Sequence, residues 1–322
     1  MTHTERSVAD GAAGGARRPT VLAFDIGGTK IAAGVVDGSG VIQSFVAAPT
    51  QPEDGPGVAL PRMFDLGRRA VAESGVPWSQ VAAIGIGCGG PLDADRGILL
   101  APPHLPGWVG IPVTGLAEAE FDRPATLEND GTAAAAGEHL YGAGAGTRNL
   151  VYLTISTGVG GGVVVDGRLF RGPFGNGAEL GHITVDWHGR PCRGCGRLGC
   201  LEAYVSGTSI GERGREAGLD APTAVDVAAA ARAGDAVAVG VWDETVAALA
   251  CGVTSIVNVF EPEVVVIGGG VSRSGEQLLG PVRALVQAQA MGSAGHGEVV
   301  QSGLGEYVGV VGAAAIVHVA AA

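Results

Sequence analysis

Three short stretches of this chain combine residue types that do chemistry together. Glu128-Asn129-Asp130 stands where a strand pattern hands over to a helical one. An acid at a helix start commonly serves as a cap. The alternative is that Asn129 hydrogen-bonds a polar substrate while Asp130 takes a proton from its hydroxyl. Asp25-Ile26-Gly27-Gly28-Thr29-Lys30 and Ser156-Thr157-Gly158-Val159-Gly160-Gly161-Gly162 each follow a strand at once. Turns without Cβ atoms let backbone N–H groups wrap a phosphate closely. One such turn is an ordinary hairpin feature. Two in equivalent positions, with Gly268-Gly269-Gly270 after another strand, point to two clamps on one polyphosphate. Neither has Walker A spacing, and neither is a strand–GxGxxG–helix site, because another strand follows each. In phosphoryl transfer the protein mainly positions reactants and neutralises charge, so one carboxylate, a metal ion and backbone donors suffice.

A second group is metal-like. His182, Cys192, Cys195 and Cys200 offer one imidazole and three thiolates, a closed tetrahedral set suited to structural Zn2+. Three unrelated or redox thiols are the competing reading. Glu179 and Glu202 flank the cluster, where a stapled loop would hold both acids over a pocket and let them grip sugar hydroxyls. Cys88 and Cys251 lie singly in apolar stretches, as small core residues do. Five Cys in a chain whose start has no apolar core do not form a disulfide framework. Lys30 is the one Lys among 20 basic residues, which singles it out beside its Gly pair, with an incidental surface Lys as the bland alternative.

The elements that must position these residues repeat a pattern. Thr20–Asp25, Ile31–Val36 and Val41–Val46 read as a three-stranded meander with a tight hairpin at 37–40. A helix over Val58–Ser74, a strand Val81–Ile86, a Pro/Gly loop over 101–112, a strand Ala125–Leu127 and a helix Thr132–Tyr141 follow. Strand, glycine turn and strand then recur over Asn149–Val165, a weak internal duplication. Helices are expected at 223–232, 235–258, 274–291 and 309–320, with a strand at Val264–Ile267. The fold class is α/β, in two similar halves with a cleft between them.

Composition limits the alternatives. The 57 Gly among 322 residues far exceed the roughly 7 % of an average protein; 21 of them fall in six short clusters, at 27–28, 85–90, 158–162, 172–181, 189–199 and 268–270, and the rest read as ordinary turns. A net charge of −12 lacks the basic footprint of nucleic-acid binding. Nothing in the sequence clusters positive charge, which also disfavours a long polyanion such as polyphosphate as donor. The runs Val264–Ile267 and Val308–Val319 are too short or too Gly-broken to span a bilayer. Residues 1–19 read as a disordered tail without a signal peptide, and the chain as cytoplasmic.

Taken together, Asp25–Lys30, Gly89-Gly90-Pro91, Leu105-Pro106-Gly107-Trp108, Glu128-Asn129-Asp130, Ser156–Gly162, Glu179-Leu180-Gly181-His182, the run from Cys195 to Glu202 and Gly268–Gly270 resemble the ROK family (repressors, open reading frames and kinases) of sugar kinases. The resemblance spans the chain from about Thr20 onward. It implies a two-domain actin-like ATPase (ribonuclease H-like) fold. The small domain would cover 20–130, with a helix at 309–322 packed back on it, and the large domain 131–308. It implies ATP-dependent phosphorylation of a hexose 6-hydroxyl, with Asp130 as catalytic base and Gly90, His104, Asn129, Glu179, His182 and Glu202 at the sugar. Asp25, Gly27, Gly28, Thr29, Lys30, Thr157 and Gly158 would hold phosphates and Mg2+, and Gly269 and Gly270 would lie near adenosine. His182 would serve both sugar and Zn2+. Members are often homodimers or homotetramers, and apolar faces on the helices at 235–258 and 274–291 would suit such contacts. A sugar-responsive regulator without kinase activity is the alternative; it would need an N-terminal helix-turn-helix domain.

Four departures from the family pattern stand out. His104 replaces an Asn before Leu-Pro-Gly-Trp, Gly131-Thr132 follows Asn129-Asp130 in place of Ala-Asn, Ala178 replaces the Gly before Glu179, and the Cys-x-Cys spacing is stretched to Cys192-Arg193-Gly194-Cys195. His104 and Thr132 are expected in or beside the sugar pocket. An imidazole in place of an amide changes the match of donors and acceptors, to which such sites respond strongly. The substrate is therefore expected to be glucose or an amino sugar, such as kanosamine, N-acetylglucosamine or N-acetylmannosamine.

Overall fold

The computed structural model describes residues 18–173, 175–220, 222–292 and 297–320. The expected tail over 1–17 and the last two residues of the expected C-terminal helix lie outside them. In chain order the elements are β1 (Thr20–Ile26), β2 (Lys30–Val36), β3 (Ile42–Pro49), α1 (Pro56–Ser74), β4 (Val81–Cys88), the short pair β5 (Leu92–Asp93) and β6 (Ile98–Leu99), α2 (Val113–Phe121), β7 (Ala125–Asn129) and α3 (Asp130–Tyr141). They continue with β8 (Leu150–Ile155), β9 (Val159–Val165), β10 (Arg168–Leu169), α4 (Glu202–Val205), α5 (Gly207–Glu216), α6 (Ala224–Arg232), α7 (Ala236–Phe260), β11 (Val264–Gly268), α8 (Glu276–Gln289), β12 (Glu298–Gln301) and α9 (Val308–Ala320).

Two five-stranded sheets have the same construction. Their orders are β3-β2-β1-β4-β7 and β10-β9-β8-β11-β12. In each, an antiparallel meander is followed by two strands parallel to its first member. β1 and β4 are apolar along nearly their whole length because helices cover both faces of the sheet. On one face α1 inserts Met63, Phe64 and Leu66 among Phe24, Ile84 and Ile86. On the other lies α9, whose Val310, Ala313, Ile316 and Val317 pack on Val21, Ala23, Ala32 and Ala83.

Glycines set how closely the layers approach. A Cβ on Gly85 of β4 would lie 1.7 Å from the Ala313 carbonyl oxygen of α9, and one on Gly312 of α9 would lie 2.5 Å from the Ala133 carbonyl of α3. These contacts let α3 and α9 cross between the sheets. α9 also holds the start of β1, since His318 Nε2 lies 2.8 Å from the Pro19 carbonyl oxygen and His318 Nδ1 lies 2.5 Å from the Tyr141 hydroxyl. Residues 18 and 19 of the expected tail are therefore tied to the fold.

The structure differs from the sequence reading in three places. The glycine turn expected over Ser156–Gly162 spans only Ser156–Gly158, and Gly160–Gly162 belong to β9. Their missing side chains serve close approach: a Cβ on Gly162 would lie 2.5 Å from the Gly131 carbonyl oxygen of α3. The short helices α2, α4 and α5 and the strand β12 were not foreseen; in α5, Gly207, Gly211 and Gly214 weaken the helical pattern. Finally, α7 is long and apolar enough to cross a membrane by composition. Instead it buries Trp242, Leu249, Val253 and Val257 in the larger core.

Candidate active site

The parallel strands of each sheet end side by side, which is where open α/β sheets place ligands. In the first sheet Ile26, Cys88 and Asn129 are in register across β1, β4 and β7. In the second, Gly268 of β11 pairs with Thr154 of β8, so Ser156-Thr157 and Gly269-Gly270 leave the sheet together.

Asp130 is the first residue of α3 and opens on the cleft. Asn129 caps that helix, its Oδ1 accepting from the amides of Gly131 (2.9 Å) and Thr132 (3.3 Å). The capping reading of this segment therefore holds, and it is Asn129 rather than an acid that caps. The Asn129 side-chain oxygen Oδ1 caps, while its Nδ2 faces Gly90, where an added Cβ would lie 3.7 Å away. Loss of water around Asp130 raises its carboxyl above the ordinary range, against the Gly131 amide and His104, which lower it. Burial likewise pushes Asp25, at the end of β1, up to about 7, with Asp130 adding to the rise and Lys30 opposing it. Burial next to both acids holds the Cys88 thiol well above its usual value. A pocket that pushes two carboxylates upward suits a proton acceptor and a bound cation.

His104 stands over this floor. A Cβ on Gly28 would come within 3.0 Å of His104 Cβ, and one on Gly89 within 2.6 Å of its Cε1. Its imidazole therefore lies between the first phosphate turn and the Gly89-Gly90 turn. Burial lowers its pKa although Asp130 pulls the other way, so the ring is neutral at pH 7. From the opposite lobe comes Glu179, whose carboxyl is raised by burial, lowered by His182, and raised again by Asp130 and Glu202. Glu179 thus lies near enough to Asp130, His182 and Glu202 to sense their charges, and His104 near enough to sense that of Asp130.

Thr132 does not share it. The residue is buried beneath β9, where its Cα would meet a Cβ on Gly162 at 2.9 Å. Gly131 has an equally steric reason, since a Cβ there would lie 2.4 Å from the Gly161 carbonyl oxygen. Ala178 adopts φ +64°, a left-handed conformation that favours glycine.

The phosphate end is more mixed. The Gly27 amide donates to the Lys30 carbonyl at 3.0 Å and Thr50 Oγ1 donates to the Gly27 carbonyl at 2.6 Å, so Gly27 closes the hairpin and its N–H is spent there. Thr29 and Lys30 are exposed. The Lys30 ammonium lies 5.6 Å from the centre of the Phe45 ring. Gly269, at φ +83°, packs on the Ile155 backbone, where a Cβ would be 2.4 Å from the carbonyl oxygen. Thr157 and Gly270 line a cleft of about 970 Å³ bounded by α5, α6 and the segment after β11. Folding collects Arg193, Arg215, Arg232 and Arg273 around it, with Glu212 as the one acid among the described lining residues. These arginines are scattered in the sequence, so the basic cleft was invisible there.

The Cys/His set also converges. The ligand atoms of His182, Cys192, Cys195 and Cys200 all lie within 4.8 Å of one another, with Cys195 Sγ to Cys200 Sγ at 3.5 Å and Cys192 Sγ to His182 Nδ1 at 3.6 Å. Zn–S bonds of about 2.3 Å put tetrahedral ligands ~3.8 Å apart, so the donor set fits Zn2+. His182 turns Nδ1 to the thiols and leaves Nε2 for another partner. Cys192 sits in the set despite the lengthened spacing. Glu202 joins this cluster to the second phosphate turn: Oε1 accepts from Cys192 Sγ at 3.2 Å and Oε2 from the Val159 amide at 3.0 Å.

One feature had no sequence signal. Glu128, fully buried, pairs with Arg171 across the cleft. Arg171 begins the loop that carries Glu179, and its carbonyl accepts from the Gly177 amide at 2.9 Å. The pair fastens the strand before Asn129-Asp130 to the loop facing them.

The ROK family model matches residues 21–320. The chain is 38 % identical over 315 residues to a glucokinase from Thermotoga maritima, covering 92 % of this chain and 96 % of the relative. Its fold is similar to a ROK hexokinase from Thermus thermophilus at a TM-score of 0.81 and 37 % identity, covering 94 % and 99 % of the two chains. It is also similar to a ROK family glucokinase from Streptomyces griseus in complex with glucose and AMPPNP, at a TM-score of 0.76 and 34 % identity, covering 92 % and 98 %.

Proposed function

This chain belongs to the ROK family, and from that premise we propose that it is an ATP-dependent hexokinase acting on the 6-hydroxyl of a glucose-type sugar. The observation that carries the reading is the juxtaposition of a carboxylate with raised pKa, Asp130, with polar groups from both lobes. The glucokinase from T. maritima and the nucleotide-bound structure from S. griseus support the same chemistry.

In the proposed reaction Asp130 accepts the 6-hydroxyl proton as the oxygen attacks the γ-phosphorus in line. Asn129 Nδ2, His104, Glu179, His182 Nε2 and Glu202 orient the sugar, with Gly90 giving the amide room. Asp25 would hold Mg2+, which neutralises polyphosphate charge when bound. Thr29, Lys30, Thr157, Gly158 and the Gly28 turn face the phosphates, and Gly270 the adenosine. The lobes, 20–130 with α9 and 131–308, close to exclude water that would otherwise hydrolyse ATP. His182, Cys192, Cys195 and Cys200 bind structural Zn2+.

Asp130→Asn is expected to lower kcat by about 10²–10⁴ while sugar binding, measured calorimetrically, survives. Near-normal turnover in the variant would sink the assignment. For the sugar we favour an amino sugar over plain glucose, because the charges of Asp130 and Glu202 both raise the Glu179 carboxyl and a cationic amine beside it would relieve that repulsion. A coupled ADP-release screen over glucose, mannose, glucosamine, kanosamine and the N-acetylhexosamines, with ATP and then polyphosphate as donor, tests this. In His104→Asn the ranking of sugars is expected to change, and an unchanged ranking would remove His104 from the specificity set.

A further inference from the structure

The lengthened spacing between Cys192 and Cys195 inserts a residue into the metal loop, and the loop's geometry fixes where it goes. Gly194 faces inward: a Cβ there would lie 2.6 Å from Glu202 Oε1 and 3.1 Å from His182 Cε1. The loop is closed behind it by the Cys192 amide donating to the Arg197 carbonyl at 2.7 Å and the Gly196 amide to the Cys192 carbonyl at 2.8 Å. Arg193 is therefore turned outward, into the 970 Å³ cleft that Thr157 and Gly270 also line. There its guanidinium pairs with Glu212 of α5. Arg215 and Arg273 reach the same cleft from α5 and from the segment after β11. Arg193 alone among the four arginines has its backbone position set by the thiol cluster.

We propose that Arg193 is a nucleotide-binding residue that contacts the polyphosphate, and that the Cys/His metal loop thereby sets the enzyme's affinity for its phosphoryl donor. The proposal rests on the reading of this cleft as the ATP site. A guanidinium offers paired donors matched to phosphate oxygens. Glu212 holds it in the cleft, and the metal loop holds its main chain. Loss of the metal would release the main-chain end, so the loop links nucleotide affinity to metal content. This is separate from the loop's role beside the sugar, where Glu202 and His182 act.

The test is equilibrium binding of ADP and AMPPNP, without turnover, to protein of measured zinc content. Arg193→Ala is expected to weaken both nucleotides about tenfold, the scale of one exposed charge-assisted contact, to raise KM for ATP, and to leave glucose binding unchanged. Arg193→Lys should recover part of the loss. Chelator-stripped wild-type protein, shown by circular dichroism to remain folded, should lose a similar factor, and stripping Arg193→Ala should cost little more. If stripping unfolds the chain, the Ala and Lys variants decide alone. Wild-type affinity in Arg193→Ala, or equal losses on stripping both proteins, would overturn the proposal while leaving ATP as the donor. Wild-type protein that binds neither nucleotide would overturn the reading of the cleft itself, and the proposal with it.

Discussion

At the scale of single residues the floor of the cleft is built against its own stability. Asp25, pushed from an ordinary 3.8 to about 7, binds a proton more tightly when folded than when unfolded. Folding stability therefore falls as pH rises from the lower value to the upper and stays low beyond it. Asp25→Asn is expected to raise the melting temperature of the ligand-free protein more at pH 8 than at pH 5, with no gain below about pH 4, while abolishing use of Mg·ATP. An equal gain at every pH would show that charge is not the cause. Asp130 is raised in the same direction, and it must be ionised to accept a proton. The acid limb of kcat/KM is accordingly expected above the ordinary carboxylate range of about pH 4. Both acids could be picked out in the sequence, because Asp25 stands at the end of a strand and Asp130 directly after one. Arg171 could not: its partner Glu128 lies 43 positions away, and nothing local marks an ion pair that only the meeting of two lobes creates.

At the scale of elements, the N-terminus of α3 is seated on β9 through glycine. Gly131→Ala would drive a methyl group against the Gly161 carbonyl oxygen, 2.4 Å away, where both sides are backbone and neither can turn aside. Overpacking of this kind costs about 1–3 kcal/mol, measurable by denaturant unfolding, and the displaced helix start is expected to lower kcat as well. The loop before Glu179 has the opposite fault. Ala178 at φ +64° carries left-handed strain, so Ala178→Gly is expected to stabilise the protein by about 0.5–1 kcal/mol. The long elements were readable from apolar periodicity, and the hairpins from their Gly-containing turns. What escaped were the short helices around the metal loop and the inner half of the Ser156–Gly162 run. A glycine in a phosphate turn and a glycine under a helix look alike until the helix is in place.

At the scale of the whole molecule, the two sheets share one strand order, and the two glycine turns follow equivalent strands, β1 and β8. The duplication faint in the sequence is plain in the topology. The proposed zinc loop would brace the second half, so protein purified without added metal is expected to carry close to one zinc per chain. Chelation should then lower its melting temperature, as structural metals are coupled to folding; near-zero zinc in active enzyme would refute the site. α9 braces the first half from the far end of the chain. Its Val310, Ala313 and Ile316 cover the face of β1, β2 and β4 formed by Val21, Ala32 and Ala83. That face is synthesised about 220 residues before the helix that covers it, so on the ribosome it waits roughly 10–40 s at ~5–20 residues per second. During every round of translation the nascent chain thus presents an apolar sheet that chaperones can hold, and the first lobe is finished only when the last helix emerges.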